Sequence, residues 1–240
     1  MNNPKISLVI VAHNEEKYIG KCIEFAIKHS RGRLHEILVV NNASTDTTKE
    51  IAQKYEMVRV VDESQKGQVR ARQRSFYEIK GDLIAYIDAD TQMPEKWLDV
   101  ALDEFSQDKN LVCLSGPYVY YDFSKLQKFI SKIYWHALAY PIYLAVGYMA
   151  VGGNFIIKKE VLDKMNGFDT SIEFYGEDTN IARRASKFGK VKFKLDFIMH
   201  SSARRLLHQG TLKIAFIYML NFLSQVFMKK SATKAYKDVR

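Results

Sequence analysis

The chain has 240 residues, of which 47% are hydrophobic, so it is not an intrinsically disordered protein and it suits one α/β domain or two small ones. Two cysteines are too few for a disulfide framework or a zinc cluster, and they favour a reducing compartment. The formal net charge is +9, but residues 201–240 hold eight basic residues against one aspartate, so a uniform nucleic-acid-binding surface is disfavoured and no nucleic-acid partner is expected.

The amino-terminal part of the chain alternates between apolar runs and helical patterns. Short, β-branched apolar runs predict buried strands at 6–12, 36–40, 57–61 and 82–87. Helical spacing of apolar residues and capping residues predict helices at 15–29, 47–55 and 68–78. This alternation predicts an α/β fold with a Rossmann-like, mostly parallel sheet and helices on both faces.

Beyond residue 90 the elements are less regular. We predict a helix at 94–105 and strands at 111–114 and 191–199. Residues 133–157 contain no Asp, Glu, Lys or Arg and are long enough to span a bilayer, but a proline, a histidine and four tyrosines interrupt them. Because the end of this run is also typical of a turn into a strand, a membrane-spanning helix is the less favoured interpretation.

The carboxyl-terminal segment 206–240 is predicted to be a basic amphipathic helical tail. Its uncharged part, 214–228, has only 15 residues and lies between Lys213 and the pair Lys229-Lys230. Basic residues beside an apolar helix are attracted to anionic lipid. With no cleaved signal peptide expected, we predict a cytoplasmic protein in peripheral contact with the inner face of the cell membrane. A helix packed on the catalytic domain is the alternative.

Polar clusters follow the predicted strands, at the edge of a parallel sheet where ligands bind. They comprise residues 12–15, 41–46 and 88–90. Asp88 and Asp90 can share one divalent ion, and such oxygen ligands suit Mg²⁺ or Mn²⁺. Taken alone, the same pair is at least as typical of helix-capping aspartates.

Three further groups of residues have the chemistry of a site, and each has a structural alternative. Glu177 and Asp178 are suited to a general base, or to the first turn of a helix. His200, after the predicted strand 191–199, could be a third metal ligand, or simply bind backbone. One arginine of the segment 70–74 could reach a diphosphate, unless these arginines lie on a solvated helix.

In this order the clusters resemble those of the family 2 glycosyltransferases, which have the GT-A fold. The resemblance covers roughly residues 5–205, and no P-loop, dinucleotide or serine-hydrolase motif competes with it. The matching segments are 8–16, 39–48, 71–72, 88–91 with Pro94 and 97–98, 152–155, 166–169 and 176–179.

The resemblance implies a catalytic domain at 1–205, with a nucleotide-sugar-binding half at 1–92 and an acceptor-binding half at 93–205. Asp178 would deprotonate the acceptor, with Glu177 beside it, in a single displacement that inverts the anomeric centre. Asp90, Asp88 and His200 would hold Mn²⁺ or Mg²⁺. The residues expected at the nucleotide sugar are Ala12, Asn14, Glu15, Asn42, Asp46, Arg72, Asp88, Ala89, Gly153 and Asn154.

The predicted function is metal-dependent transfer of a sugar, of hexosyltransferase type, from a nucleotide diphosphate sugar to an acceptor hydroxyl or phosphate. A glycan or lipid-linked acceptor in cell-envelope synthesis is expected, because the tyrosine-rich run 133–149 could cover a lipid. Asn41 stands where the family often has aspartate, and the absence of Q-x-x-R-W favours a single transfer over polymerisation. A nucleotidyltransferase and a non-catalytic nucleotide-sugar or basic-surface binding protein are the alternatives.

Overall fold

The computed structural model describes residues 4–172 and 175–233, which form two sheets and their surrounding helices. The strands are β1 (Ile6–Ala12), β2 (Glu36–Asn42), β3 (Val58–Glu63), β4 (Leu83–Asp88), β5 (Thr91–Gln92), β6 (Leu111–Ser115), β7 (Tyr118–Tyr120), β8 (Asn154–Lys158), β9 (Lys190–Phe193) and β10 (Met199–Ser201). The α-helices are α1 (Ile19–Ser30), α2 (Thr48–Gln53), α3 (Gln68–Glu78), α4 (Trp97–Gln107), α5 (Lys125–Ile133), α6 (Tyr140–Val146), α7 (Lys159–Lys164), α8 (Glu177–Ala185), α9 (Arg204–Gln209) and α10 (Thr211–Phe227).

The larger sheet has seven strands in the order β3-β2-β1-β4-β8-β6-β9. Its pairs are parallel except those of β8, which runs antiparallel to both β4 and β6. The smaller sheet has the order β5-β10-β7. The predicted mostly parallel α/β sheet is therefore confirmed, including its four amino-terminal strands.

Side chains of the central strands alternate between two apolar layers, as the two-residue period of a strand requires. On one face of the sheet Leu8 packs with Ile23 of α1 and Leu98 of α4. On the other face Val9 packs with residues of α3 and α8, including Ile181. Each fully buried aliphatic side chain contributes about 1.5–3 kcal/mol to the free energy of folding. The two apolar layers therefore stabilise the central strands, at whose ends the polar clusters lie.

Two predicted elements differ most from the structure in their extent. The strand predicted at 191–199 is two strands, β9 and β10, which belong to different sheets. A turn separates them, in which the Phe197 N–H donates to the Lys194 carbonyl (3.0 Å). The helix predicted from residue 15 begins at Ile19, because Asn14 has a φ of 52° and the chain turns before the helix starts.

The uncharged run 133–157 is not one long helix. It comprises the end of α5, a π-helical segment at Tyr134–Ala139, α6 and the strand β8. Within residues 4–172 and 175–233, no helix has the length and apolar character needed to cross a bilayer.

The predicted basic tail forms α9 and α10 and then returns along α10. The Asn221 side chain donates to Thr233 Oγ1 (2.8 Å), and the Ser224 hydroxyl donates to the Lys230 carbonyl (2.7 Å). The polar side chains of Asn221, Ser224 and Gln225 in α10 are consequently buried. Residues 234–240, with Lys234, Lys237 and Arg240, lie outside the described residues.

Candidate active site

Parallel pairing brings the three predicted polar clusters to one edge of the larger sheet. In the register of β1, Ala12 lies opposite Asn41 of β2, and Val11 lies opposite Asp88 of β4. The loops that follow these three strands therefore begin side by side. Ala12 and Ala89 are buried, so they shape this edge by packing.

The loops after β1 and β2 are joined by side-chain to backbone hydrogen bonds. Asn14 Oδ1 accepts from the Thr45 N–H (2.8 Å), and the Glu15 N–H donates to Thr48 Oγ1 (2.7 Å). The Asp46 carboxylate accepts from the N–H groups of Glu16 (3.1 Å) and Thr48 (3.0 Å). Burial raises the pKa of Asp46, but the Thr48 hydrogen bonds outweigh it and leave the pKa below its ordinary value.

Asn42 and Asn154, both predicted at the nucleotide sugar, use their amides to hold the framework instead. Asn42 Nδ2 donates to the Gln65 carbonyl (2.8 Å), and Asn42 Oδ1 accepts from the Gly67 N–H (2.8 Å). Asn154, with 0% of its surface exposed, accepts from Trp97 Nε1 (2.8 Å) and donates to the Phe197 carbonyl (2.7 Å). A buried amide must satisfy its own hydrogen bonds, so neither side chain is available to a ligand in this arrangement.

Asp88, at the end of β4, is oriented by two residues that the sequence did not single out. Its Oδ1 accepts from Gln68 Nε2 (3.1 Å), and its Oδ2 accepts from the Tyr118 hydroxyl (2.9 Å). Burial, with the nearby carboxylates, raises the pKa of Tyr118 well above its ordinary value, so this phenol remains a donor. A Cβ at Gly153 would overlap both the Tyr118 hydroxyl and the Asp88 carboxylate, which explains the need for glycine there.

Arg72 is the arginine of the 70–74 segment that reaches this edge. Its side chain is 1% exposed, forms an ion pair with Glu177, and lies 3.6 Å from Asp88 Oδ1. Its Nη2 also donates to the Gly152 carbonyl (2.5 Å). The guanidinium thus links the strand end of Asp88 to the start of α8, and a carboxylate is its immediate partner.

The two acidic residues predicted to act as base and neighbour begin α8. Burial raises the pKa of Glu177, and the Arg72 guanidinium opposes that rise. Asp178 Oδ1 accepts from the Thr179 N–H (2.7 Å), while burial raises the pKa of Asp178 above its ordinary value. A carboxylate with a raised pKa is a stronger proton acceptor, as a general base requires.

Asp88, Glu177 and Asp178 line one cavity of about 630 Å³ together with Gln68 and Gly153. Beyond Asp178 the walls become apolar and aromatic. They include Phe123, Ile130, Tyr134, Trp135, Ile142, Met149, Leu206, Met219 and Phe222, contributed by the segments around α5, α6, α9 and α10. The cavity therefore joins a carboxylate-bearing strand edge to an apolar chamber.

The partner of the Asp90 carboxylate is Arg204, which is not among the partners of Asp88. Asp90 Oδ2 lies 3.1 Å from Arg204 Nη2, which also contacts Glu15 Oε1. Burial raises the pKa of Asp90, and the charge of Arg204 opposes the rise. Glu15 is thus present at this edge as predicted, but in an ion pair.

The predicted metal site is only partly assembled. Among residues 4–172 and 175–233, no group of three or more His, Cys, Asp or Glu side chains is placed to hold an ion, so His200 does not complete a set with the two aspartates. The backbone of His200 pairs with that of Gln92 across β10 and β5, and burial, aided by Lys128, lowers the pKa of the His200 imidazole. Mg²⁺ and Mn²⁺ often take one or two protein carboxylates and complete the shell with phosphate oxygens and water, and the carboxylates that the strand edge offers for this are those of Asp88 and Asp90.

Comparison with known proteins identifies relatives. The model of the glycosyl transferase family 2 matches residues 7–165. The probable glycosyltransferase YdaM of Bacillus subtilis is 27% identical over 211 residues, which are 78% of this chain and 47% of that protein. The chain spans about a third to a half of the length of the curated relatives that it matches first.

Solved structures share the fold at low identity. The mannosyltransferase PcManGT of Pyrobaculum calidifontis, solved with GDP-Man and Mn²⁺, has a TM-score of 0.72 at 18% identity, over 95% of this chain and 64% of that one. Glucosyl-3-phosphoglycerate synthase of Mycobacterium tuberculosis, solved with Mn²⁺, UDP and phosphoglyceric acid, has a TM-score of 0.64 at 19% identity, over 93% and 79%.

Proposed function

The chain belongs to glycosyl transferase family 2, and on that premise we propose that it is a metal-dependent, inverting glycosyltransferase of hexosyltransferase type. It transfers a sugar from a nucleotide diphosphate sugar to an acceptor hydroxyl or phosphate. The observation that carries the proposal is the shared cavity, where Asp88 from the end of β4 faces the same space as Asp178 from the start of α8. A donor sugar and an acceptor can meet only where both halves of the chain contribute to one space.

The donor half of the proposed catalytic domain is residues 1–92. Asn14, Glu15 and Asp46 belong to the loops that would surround the nucleoside, and Gly153 leaves space for Asp88 to approach the sugar. Asn41 donates to Asp62 Oδ1 (2.9 Å), so a carboxylate is present near the residue where the family often has aspartate. Donors based on uridine or guanosine are both in keeping with the ligands of the structural neighbours.

A divalent cation bound by Asp88 and Asp90 would supply charge to stabilise the departing diphosphate. Mn²⁺ in two structural neighbours supports this assignment. The residue of the chain that acts in the reaction is Asp178. It takes the proton of the acceptor hydroxyl while the hydroxyl oxygen attacks the anomeric carbon from the face opposite the diphosphate, so the anomeric configuration is inverted. For an acceptor phosphate, which is already ionised, Asp178 orients the nucleophile instead.

The acceptor half, residues 93–205, and the helices after it supply the apolar chamber. A free sugar needs many hydrogen-bond partners, whereas this wall offers mainly aromatic and aliphatic side chains. We therefore assign a lipid-linked acceptor, in cell-envelope glycan synthesis, with the lipid along the chamber. A polar glycan acceptor is the alternative, and equal or higher turnover with free acceptors than with lipid-linked ones would indicate it.

The outward face of α10 supports peripheral contact with the cytoplasmic face of a membrane. Apolar residues 216, 220, 223 and 227 form one exposed stripe, and Phe216 and Phe227 are 68% and 78% exposed. The buried side of α10 carries the polar residues Asn221, Ser224 and Gln225 beside Ile214, while large apolar side chains lie on the exposed side, where a helix packed on a domain is usually polar. Lys213, Lys229 and Lys230 flank the stripe, and residues 204–233 include no Asp or Glu, so the charge is complementary to anionic lipid.

The activity is tested by replacing Asp178. Thermal-shift screening of UDP and GDP sugars with Mn²⁺ first identifies the donor, because a bound ligand raises the apparent stability. With that donor and an acceptor extract, Asp178→Asn should keep donor affinity within about twofold and lose turnover by at least about 10³-fold, the upper part of the usual general-base contribution. A product with the anomeric configuration opposite to the donor supports single displacement.

The matched control is Asp163→Asn, which removes a carboxylate from α7. That helix follows Lys158, which pairs with Leu83 at the start of β4, so Asp163 lies at the sheet edge opposite the cavity. Turnover of the Asp163→Asn variant should match the wild type. Near-normal turnover in Asp178→Asn would remove Asp178 from the role of base.

A further inference from the structure

The Arg204 guanidinium has three partners, which are Asp90, Glu15 and Tyr18. Its Nη2 lies 3.1 Å from Asp90 Oδ2 and also contacts Glu15 Oε1. Its guanidinium lies over the ring of Tyr18, 4.7 Å from the centroid. Glu15 is itself nearly inaccessible to solvent, with 3% of its side chain exposed, so the ion pair is weakly screened.

The backbone that carries Arg204 is fixed as well. The carboxylate of Asp122 accepts from the Ser202 hydroxyl (2.7 Å) and from the Ala203 N–H (2.7 Å). The Arg204 N–H in turn donates to Ser202 Oγ (3.2 Å). The guanidinium is therefore delivered to Asp90 by an ordered turn, and its position beside that carboxylate is a feature of the fold.

Asp90 is one of the two carboxylates that we propose as ligands of a divalent cation. A guanidinium and a divalent cation repel each other, and the repulsion is strong at the few ångströms that separate ligands of one carboxylate. We infer that Arg204 and the divalent cation compete for Asp90, so that Arg204 keeps the affinity for the free ion low. This inference rests on the donor site proposed above and concerns its regulation.

A diphosphate would relieve the competition. The planar guanidinium matches phosphate oxygens as well as carboxylates and binds them with two parallel hydrogen bonds. When a nucleotide diphosphate lies at the strand edge, Arg204 transfers from Asp90 to the phosphate oxygens, and Asp90 becomes available to the ion. The ion is then taken up together with the donor, and Arg204 remains to neutralise the diphosphate.

If Arg204 competes with the ion, its removal should increase the affinity for Mn²⁺, whereas removal of an arginine that only maintains the structure should leave that affinity equal or lower. Mn²⁺ alone is titrated into the full chain while electron paramagnetic resonance measures the free ion. Arg204→Met, which removes the charge and keeps the aliphatic stem, should bind Mn²⁺ about tenfold more tightly than the wild type. The same variant should bind UDP or GDP, titrated without metal in a calorimeter, about tenfold more weakly.

Two variants serve as controls for the Mn²⁺ titration. Arg204→Lys keeps the charge and should bind Mn²⁺ like the wild type. Arg31→Met removes a positive charge after the end of α1, in a solvent-exposed ion pair with Glu95 that is screened by water, and should change Mn²⁺ affinity by less than twofold. If circular dichroism finds Arg204→Met unfolded, Arg204→Gln replaces it.

Equal or weaker Mn²⁺ binding by the folded Arg204→Met variant overturns the inference. So does the absence of Mn²⁺ binding to both the wild type and the variant. The proposed function fails by a separate result, namely that neither UDP nor GDP, with or without a sugar, binds any form of the protein. In that case the Mn²⁺ titration still decides the competition at Asp90.

Discussion

Arg72→Met removes the positive partner of an ion pair in which neither side chain is more than 9% exposed. Methionine approximates the volume of the arginine stem, but it removes the guanidinium that lies over the Phe155 ring, 5.6 Å from its centroid. Glu177 is then left with its charge buried at the start of α8. Breaking a buried pair by removing one partner typically costs about 3–5 kcal/mol, because the remaining charge is uncompensated.

For a chain of this size, about 1 kcal/mol corresponds to roughly 2–4 °C in Tm, so Tm should fall by about 10 °C. The pH dependence identifies the cause. Without Arg72, burial raises the pKa of folded Glu177 further above that of the unfolded chain, so folding takes up a proton in the interval between the two values. The stability of the variant should consequently rise as pH is lowered from 8 to 5 and fall as pH increases.

Urea unfolding followed by circular dichroism measures both effects. The double variant Arg72→Met/Glu177→Gln removes the charge together with its partner, so it should recover more than half of the lost stability and show little of the added pH dependence. Arg74→Met, which breaks the exposed pair with Glu78, is the matched control and should cost less than about 1 kcal/mol. A loss below 1 kcal/mol in Arg72→Met, or no recovery in the double variant, would refute the reasoning.

Two other predictions test the donor edge and the membrane face. Gly153→Ala should displace Tyr118 or Asp88 and weaken binding of the identified donor at least about tenfold in calorimetry, while an unchanged affinity would contradict the close approach at this glycine. Phe216→Gln/Phe227→Gln should reduce co-flotation with phosphatidylglycerol vesicles at least about tenfold. In the wild type, both exposed rings move from water into lipid when the protein binds, and the variant loses this favourable transfer. Met57→Gln/Tyr77→Gln, which removes exposed apolar surface elsewhere, should have little effect, and equal loss in both double variants would refute docking through α10.

The sequence alone determined the main sheet and the composition of its functional edge. Apolar runs of strand length that alternate with helical patterns predict a parallel sheet. The carboxyl ends of parallel strands lie at the same edge of the sheet. The sequence therefore predicts that Asp88 lies beside the loops after β1 and β2, and the register of β1 with β2 and β4 agrees with this prediction.

Local patterns could not assign individual side chains to a role. A helical period puts Arg70 and Arg74 on one face and Arg72 on another, but it does not say which face meets α8. Asn42 and Asn154 have the polarity expected of ligand-binding residues, yet hydrogen bonds to distant backbone groups occupy them. The contribution of Gln68 and Tyr118 to Asp88 likewise depends on segments that are remote in sequence.

The carboxyl-terminal helices show the same division. Charge and apolar content predicted a helix with basic ends, and α10 is that helix. The burial of its polar side chains Asn221 and Ser224 depends on the tertiary structure, in which residues 230–233 return to form hydrogen bonds with them. The contact between Arg204 and Glu15, which are 189 positions apart in the sequence, likewise depends on the tertiary structure. Period and composition are local properties, whereas the partners of a buried polar group are set by which distant segments fold against it.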